Sequence, residues 1–447
     1  MAVTGQRTQD LTHGSLTGHL FRLAAPLVVG NILQEFYNTV DAFVVGRFAG
    51  QQEFAAIGIA GTVMNLFLFA LVGCCTGYSV LFARAYGQND HAELRRHYVT
   101  ALAVGAACTA ALMLLGLAGM QGILSLLQTP QELRGYTAVY LCWIFGSMPA
   151  ALLYNLHAAL LRASGDTQAA LLILAAAVGT NLLLDLVLVA WLSLGIAGAA
   201  AATALTQVFS AVFCWLYLRR THKELTLHRQ DFRLQRGRLW NMFQLGFVTS
   251  LHQCSLYLGK MLVQGTVNTA GTEGIAAYTA ATRIEGFANS VGTGGSVATS
   301  ILTAQNFGAG DARRVAGSFR CSARWLALLG ALSGVLMFAL APCAAALMLN
   351  AQSGAAFDSA VHYLRLVAVF YLFCFSGNAF TGYFDGIGAV IWPFIGSLGH
   401  IAIRVVLSWA LFPAMGLNAV ALATGTGWIF ANLFWAGVKI WRERKAG

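Results

Sequence analysis

Apolar runs recur along the whole chain, and each is about as long as a helix that crosses a membrane. A spanning helix needs roughly 20 predominantly apolar residues, whereas a membrane β-barrel shows short segments in which apolar and polar residues alternate. The pattern therefore predicts an all-α membrane protein with twelve transmembrane helices. The predicted spans are 18–46, 55–82, 97–119, 133–157, 168–192, 195–218, 239–267, 274–303, 321–348, 359–384, 390–412 and 416–441.

Composition and charge agree with this interpretation. The chain is 58% hydrophobic and only 10% charged, whereas soluble domains carry roughly 25% charged residues, so a soluble fold is excluded. The net charge of +10 does not indicate nucleic-acid binding, because the basic residues form no binding face. If both termini and every second loop are cytoplasmic, most lysines and arginines lie on that side. This bias predicts a multi-pass protein of the cytoplasmic (plasma) membrane.

Two features bear on processing and on metal or disulfide chemistry. The first 17 residues are polar and precede a full-length span, so we expect no cleavable signal peptide. The nine cysteines lie in or beside apolar spans and form no CxxC pair. Neither a disulfide framework nor a zinc site is therefore predicted.

The two halves of the chain resemble each other. Gly50 corresponds to Gly271 and Asp90 to Asp311, both at an offset of 221 residues, and other matches follow in the same order. The repeat predicts two six-helix bundles related by pseudo-two-fold symmetry: an N-terminal lobe (1–218), a basic cytoplasmic linker (219–238) and a C-terminal lobe (239–447). Transporters with such repeats bind substrate between the halves and expose it alternately to the two sides.

Polar residues interrupt the first span on one helical face. Gln34, Tyr37, Asn38 and Asp41 are spaced i, i+3, i+4 and i+7, which places them on one side of a helix. A carboxylate near the middle of a membrane is costly, and such groups usually face a cavity and serve transport. We interpret Gln34, Tyr37 and Asn38 as lining a substrate cavity beside Asp41.

A second polar pair lies in the fifth span, where Asn181 and Asp185 are one helical turn apart. Together with Asp41 they would form a pocket of two carboxylates and an amide in a low-dielectric environment. Such a pair can exchange a proton as one coupled unit, and the same oxygens could bind Na⁺. The alternative is that these residues make structural hydrogen bonds to neighbouring helices.

The second half has its own polar face, which carries basic as well as acidic groups. Lys260 and Glu285 could form a neutralising ion pair that only stabilises the lobe, or they could contact substrate or take part in proton coupling. Arg404 lies in the eleventh span. The predicted cavity residues of this half are Gln253, Tyr257, Lys260, Glu285 and Asn289.

Several stretches resemble the multidrug and toxic compound extrusion (MATE) family. They are PLVVGNILQEFYNTVDAFVVGRFAG, RASGDTQAALLILAAAVGTNLLLDLVLV, GIAGAAAATALTQ, VNTAGTEGIAAYTAATRI and TAQNFGAGDARRV. The resemblance implies a twelve-helix antiporter that exports cationic amphipathic compounds in exchange for H⁺ or Na⁺ and needs no other cofactor. The positions that match the family's first-half cation site are Asp41, Asn181, Asp185 and Thr203. The glutamate found in the seventh helix of one branch is missing from SLHQCSLYLGKMLVQG, so a second-half sodium site is not implied.

Two other functions are alternatives to export. A flippase for a lipid-linked sugar or peptide precursor would need cations for phosphate, and Lys260 and Arg404 could supply them. A membrane-embedded enzyme lacks support, because the chain has no HExxH, GxSxG or P-loop pattern. The expected partners are small organic cations or drugs and membrane lipids, without nucleic acid and with a functional monomer.

Overall fold

The computed structural model describes residues 10–48 and 50–446, with the side chains of 38–45, 51, 54 and 446 excepted. Within these ranges the regular structure is helical and contains no strand. The α-helices are α1 (Leu16–Phe48), α2 (Gln51–Gly87), α3 (His91–Ala118), α4 (Met120–Leu126), α5 (Gln131–Ala163), α6 (Thr167–Asp185), α7 (Gly195–Thr221), α8 (Arg236–Val267), α9 (Gly271–Gly308), α10 (Ala312–Leu349), α11 (Ala355–Ala368), α12 (Tyr371–Gly386), α13 (Ile391–Met415) and α14 (Leu417–Ala446).

Twelve long helical segments result once α11 and α12 are counted as one broken span, since they meet at a bend of 53°, and the short α4 is left out. Nine described helices, or ten with the bent pair, are long and apolar enough to cross a membrane. The other two are α8 and α9, which have 32 and 38 residues. Both helices are long enough to cross a membrane, but their polar residues lower their mean hydropathy. The predicted all-α, twelve-helix fold is confirmed.

The described chain forms two compact units whose boundaries lie inside helices. The first comprises Val29–Ser250, and the second comprises Leu11–Val28 together with the chain from Leu251 onwards. The start of α1 thus belongs to the second unit, and the start of α8 to the first. The predicted lobes, 1–218 and 239–447, are bounded by loops. Loop composition does not show that the units change partway along α1 and α8.

Corresponding helix starts in the two halves are built alike. The Asp90 carboxylate accepts a hydrogen bond from Glu93 N (2.9 Å) at the start of α3. The Asp311 carboxylate accepts one from Arg314 N (2.9 Å) at the start of α10. An aspartate at this position satisfies one of the amides that a helix start leaves without a partner. The Asp90–Asp311 match in sequence therefore reflects a shared local structure.

Glycines at repeat-related positions adopt backbone angles that other residues avoid. Gly50 and Gly271 precede or begin α2 and α9 with φ of 80° and 72°, and Gly195 and Gly416 lie at the starts of α7 and α14 with φ of 53° and 56°. Positive φ is accessible to glycine without steric cost. Each of these glycines lies where one helical segment gives way to the next.

The predicted linker packs on the first unit rather than extending freely. Arg95 Nε lies 3.1 Å from the Asp231 carboxylate, and its Nη1 donates to the Glu224 carbonyl (3.0 Å). Arg238, near the start of α8, pairs with Glu93 in α3 at 2.9 Å. These contacts join the linker and the start of α8 to the start of α3.

His222 is the buried centre of a second set of linker contacts. Its Nδ1 lies 3.0 Å from Glu224 Oε1, and its Nε2 lies at an ion-pair distance of 3.8 Å from Asp166 Oδ2. Asp166 also accepts hydrogen bonds from Tyr217 Oη (2.9 Å) and from Ala169 N (3.1 Å). Burial by itself would lower the pKa of His222, but the two carboxylates raise that pKa to about 9. The imidazole is therefore protonated at neutral pH.

Candidate ion and substrate sites

Asn181 and Asp185 lie on one face of α6, and each is only 1% exposed. Neither Oδ1 nor Nδ2 of Asn181 makes a hydrogen bond to the described part of the chain. A buried amide without a partner costs free energy and calls for a specific explanation. A buried amide oxygen and a carboxylate one helical turn apart are ligands of the kind that a small hard cation binds.

The helix geometry changes immediately after Asp185. Leu186–Trp191 form a π-helical turn, in which hydrogen bonds run from i to i+5; Leu192 N donates to Val187 O at 2.9 Å. Such turns are rare and often lie at functional sites. The sequence LVLVAW is a uniform apolar run, so no local signal in the sequence predicts this irregularity next to the acid.

Thr203 lies on α7, the helix that packs against α6. It is half-buried, and its Oγ1 donates to Ala199 O in the preceding turn (3.1 Å). A hydroxyl that donates in this way keeps oxygen lone pairs that can accept a hydrogen bond or a cation. Further along α7, Thr206 Oγ1 and Gln207 Oε1 are buried and make no hydrogen bond to described residues. Sequence reasoning missed this pair because neither residue is ionisable.

The predicted residues of α1 are only partly within the described structure. Gln34 and Tyr37 are half-buried, and the helix continues to Phe48. The side chains of Asn38 and Asp41 lie outside the described residues. The grouping of Asp41 with Asn181, Asp185 and Thr203 therefore stays a prediction.

The second unit contains a buried acidic and basic cluster around Glu285, which is 7% exposed. Arg404 of α13 donates from Nη2 to the hydroxyl of Tyr278 (3.2 Å), and Tyr278 packs edge-on against Tyr363 with ring centroids 5.8 Å apart. The charges of Arg404 and Lys260 act on the Glu285 carboxylate. The two tyrosines were missed in the sequence because they look like ordinary core aromatics.

The remaining predicted residues of this half differ in exposure. Gln253 and Tyr257 are half-buried on α8, whereas Lys260 is exposed. Asn289 Oδ1 accepts a contact of 3.5 Å from Cys374 Sγ. Within the described residues, no group of three or more His, Cys, Asp or Glu side chains is arranged to hold a metal ion.

The MatE family model matches residues 26–187 and again residues 249–410. The chain belongs to the MATE family. The same model matches each half over a stretch of equal length, in agreement with the internal repeat. MATE proteins are transporters and not enzymes. At the level of its family, the chain is therefore a multi-pass membrane transporter.

Named relatives and a solved structure cover nearly the whole chain. The chain is 23% identical to "Probable multidrug resistance protein YpnP" of Bacillus subtilis (strain 168), over 98% of this chain and 100% of the relative. It is 24% identical to "Probable multidrug resistance protein YoeA" of the same organism, over 88% and 86%. The "Crystal structure of MATE in complex with MaL6" has a TM-score of 0.90 and 22% identity, and covers 99% of this chain and 100% of that one.

Proposed function

We propose that this MATE protein exports small cationic, amphipathic compounds by antiport with H⁺ or Na⁺, using alternating access. The named relatives are described as multidrug resistance proteins, and the family supports export of organic compounds. We place the protein in the plasma membrane with both termini cytoplasmic, in agreement with the positive-inside bias.

The observation that carries the proposal is the buried Asn181 and Asp185 pair, with an amide that lacks hydrogen-bond partners in the described structure. A purely structural asparagine in the interior of a helical bundle would satisfy its donors and acceptors. A group that must bind and release an ion is instead left with capacity for a ligand. The π-helical turn after Asp185 gives the end of α6 the backbone irregularity that often accompanies such sites.

The mechanism that follows is an exchange at the first-unit site. In the outward-facing state the pocket of Asp41 and Asp185 takes up H⁺ or Na⁺, with Asn181 and Thr203 supplying neutral oxygens. This uptake removes the negative charge that holds an organic cation, and the organic cation leaves. The ion is released on the inside, where substrate binds the ionised site again. Exchange requires the ion to bind the two states with different affinity.

The test is efflux of ethidium from proteoliposomes under a pH gradient and a sodium gradient imposed separately. Asp185→Asn should abolish gradient-driven efflux because it removes the titratable charge and leaves the shape unchanged. Asp358→Asn is the matched control, since Asp358 is an exposed acid in the first turn of α11, and it should transport like the parent. Undiminished efflux by folded Asp185→Asn protein would overturn the assignment.

One observation favours a second candidate, a flippase for a lipid-linked precursor: Arg404 and Lys260 bring positive charge to the cluster around Glu285. A phosphate-bearing substrate would bind such cations. Arg404→Gln should then abolish translocation of a fluorescent lipid pyrophosphate in vesicles. If the parent protein exports ethidium and does not translocate this lipid, the flippase reading fails.

A further inference from the structure

A lateral groove in the first unit lies between α3 and the start of α8. It has a volume of about 960 Å³, within the range of sites that hold an organic molecule, and its wall on α3 is made of small residues, with Ala103, Ala107 and Ala111 one turn apart. Trp240 and Phe243 form the opposite wall, and Arg236 lies at one end. The groove is thus apolar along its length and basic at its end.

The aromatic wall is an ordered and exposed surface. Trp240 stacks on Phe243 with ring centroids 5.7 Å apart, and Phe243 stacks on Phe247 at 5.5 Å. Their exposures are 57%, 37% and 49%. The predicted topology places this surface at the membrane end of α8, and tryptophan at a helix end is typical of the level of the lipid headgroups.

The charge at the basic end is not neutralised by the described residues. Asp231 is committed to Arg95 and Glu93 to Arg238. The exposed side chain of Arg236, the basic residue that lines the groove, makes no ion pair with the described part of the chain. Because α8 begins at Arg236, the positive end of its helix dipole also lies at this end of the groove.

We propose that this groove binds an anionic phospholipid, with an acyl chain along the alanine-lined wall and the phosphate on Arg236. Basic clusters at the cytoplasmic ends of membrane helices recognise anionic headgroups, and the predicted topology places this end of α8 on the cytoplasmic side. The Arg238–Glu93 pair holds the starts of α3 and α8 together and so positions the groove for its headgroup. Its lining shares no residue with the candidate ion and substrate sites, and lipid binding there does not depend on what is exported.

The first unit contains a second groove that serves as a control. It has a volume of about 680 Å³ between α5 and α7, and it too is apolar and lined by a tryptophan, Trp143. Trp143 is 47% exposed, and Trp240 is 57% exposed. No arginine or lysine is among the described residues that line this groove, so it should accept acyl chains without selecting the headgroup.

The test uses the full chain in vesicles that contain brominated phosphatidylglycerol or brominated phosphatidylcholine, each diluted in unlabelled lipid. Bromine quenches tryptophan on contact, and the contributions of the two tryptophans are obtained by comparison with Trp240→Phe and Trp143→Phe. We expect the Trp240 contribution to be quenched at lower fractions of the anionic lipid than of the zwitterionic one. The Trp143 contribution should respond equally to both lipids.

The variant Arg236→Gln should reduce the anionic preference at Trp240 roughly fivefold, the value expected for one basic residue near a charged membrane surface. Ala107→Phe, which fills the groove, should reduce quenching of Trp240 by both lipids. If Trp240 does not distinguish the lipids in the parent protein, or if Arg236→Gln keeps the full preference, the proposal is wrong. Binding of phosphatidylcholine and phosphatidylglycerol with equal affinity would likewise overturn it.

Discussion

Replacing His222 by glutamine is expected to destabilise the first unit in a pH-dependent manner. The protonated imidazole lies between Asp166 and Glu224, and both carboxylates hold its proton. Glutamine is neutral at every pH and has a similar size. The variant therefore leaves two carboxylates facing a neutral group.

The size of the effect follows from the pKa of His222, which is raised from its ordinary value of 6.5 to about 9. A shift of this size corresponds to roughly 3 kcal/mol of folding free energy. Because the folded pKa is the higher one, this stabilisation is fully present below pH 6.5 and is lost as the pH rises through 9. Burial alone would raise the pKa of Asp166 and of Glu224, but pairing with His222 outweighs it and lowers both pKa values. The stabilisation by these two carboxylates is therefore lost only in more acidic solution.

The assay is thermal unfolding of the detergent-solubilised protein from pH 6 to pH 10, with parent and His222→Gln compared at each pH. The difference in unfolding free energy should be about 3 kcal/mol at pH 6 and close to zero above pH 9. His362→Gln, which replaces an exposed histidine in α11, controls for loss of an imidazole. A difference that stays constant from pH 6 to pH 10, or grows with pH, would refute this account of the linker.

Two further substitutions test packing and helix termini. In Gly73→Ala the new Cβ would lie 2.5 Å from Ser250 Cα, so we expect the free energy of unfolding to fall by about 3 kcal/mol, or the protein to fail to fold. In the control Gly61→Ala, on the same helix, the new Cβ meets nothing within 4 Å. This control should be tolerated in expression and melting assays. In Glu53→Gln the charged acceptor of the hydrogen bond from Ile196 N (2.6 Å) becomes neutral, which should lower stability by about 1 kcal/mol in the same melting assay.

Clear outcomes would contradict these two expectations. Equal melting of Gly73→Ala and Gly61→Ala protein would mean that α2 and the start of α8 do not approach as closely as described. For Glu53, the comparison is Glu132→Gln, an exposed first-turn acid of α5. If both glutamine variants melt alike, the contact of Glu53 with α7 adds no stability.

One pair of the candidate site was accessible from spacing alone. Asn181 and Asp185 are one turn apart, so any helix places them on one face, and both residues are buried in the structure. The cluster of Glu285 with Arg404 and Tyr278 was only partly accessible, because its members come from different helices. The bend between α11 and α12 was likewise not predicted, since its apolar sequence continues across the break.

Local sequence by itself determined the helical fold, the spans and the helix starts capped by Asp90 and Asp311. The reason is that a helix in lipid satisfies its own backbone hydrogen bonds, and its caps lie within a few residues. Tertiary structure alone decided the partners of His222 and the groove that ends at Arg236. It also decided that the Asn181 amide makes no hydrogen bond to the described residues. Each of these depends on which side chains distant helices bring within a few ångströms, and the spacing of residues along one chain carries no such distances.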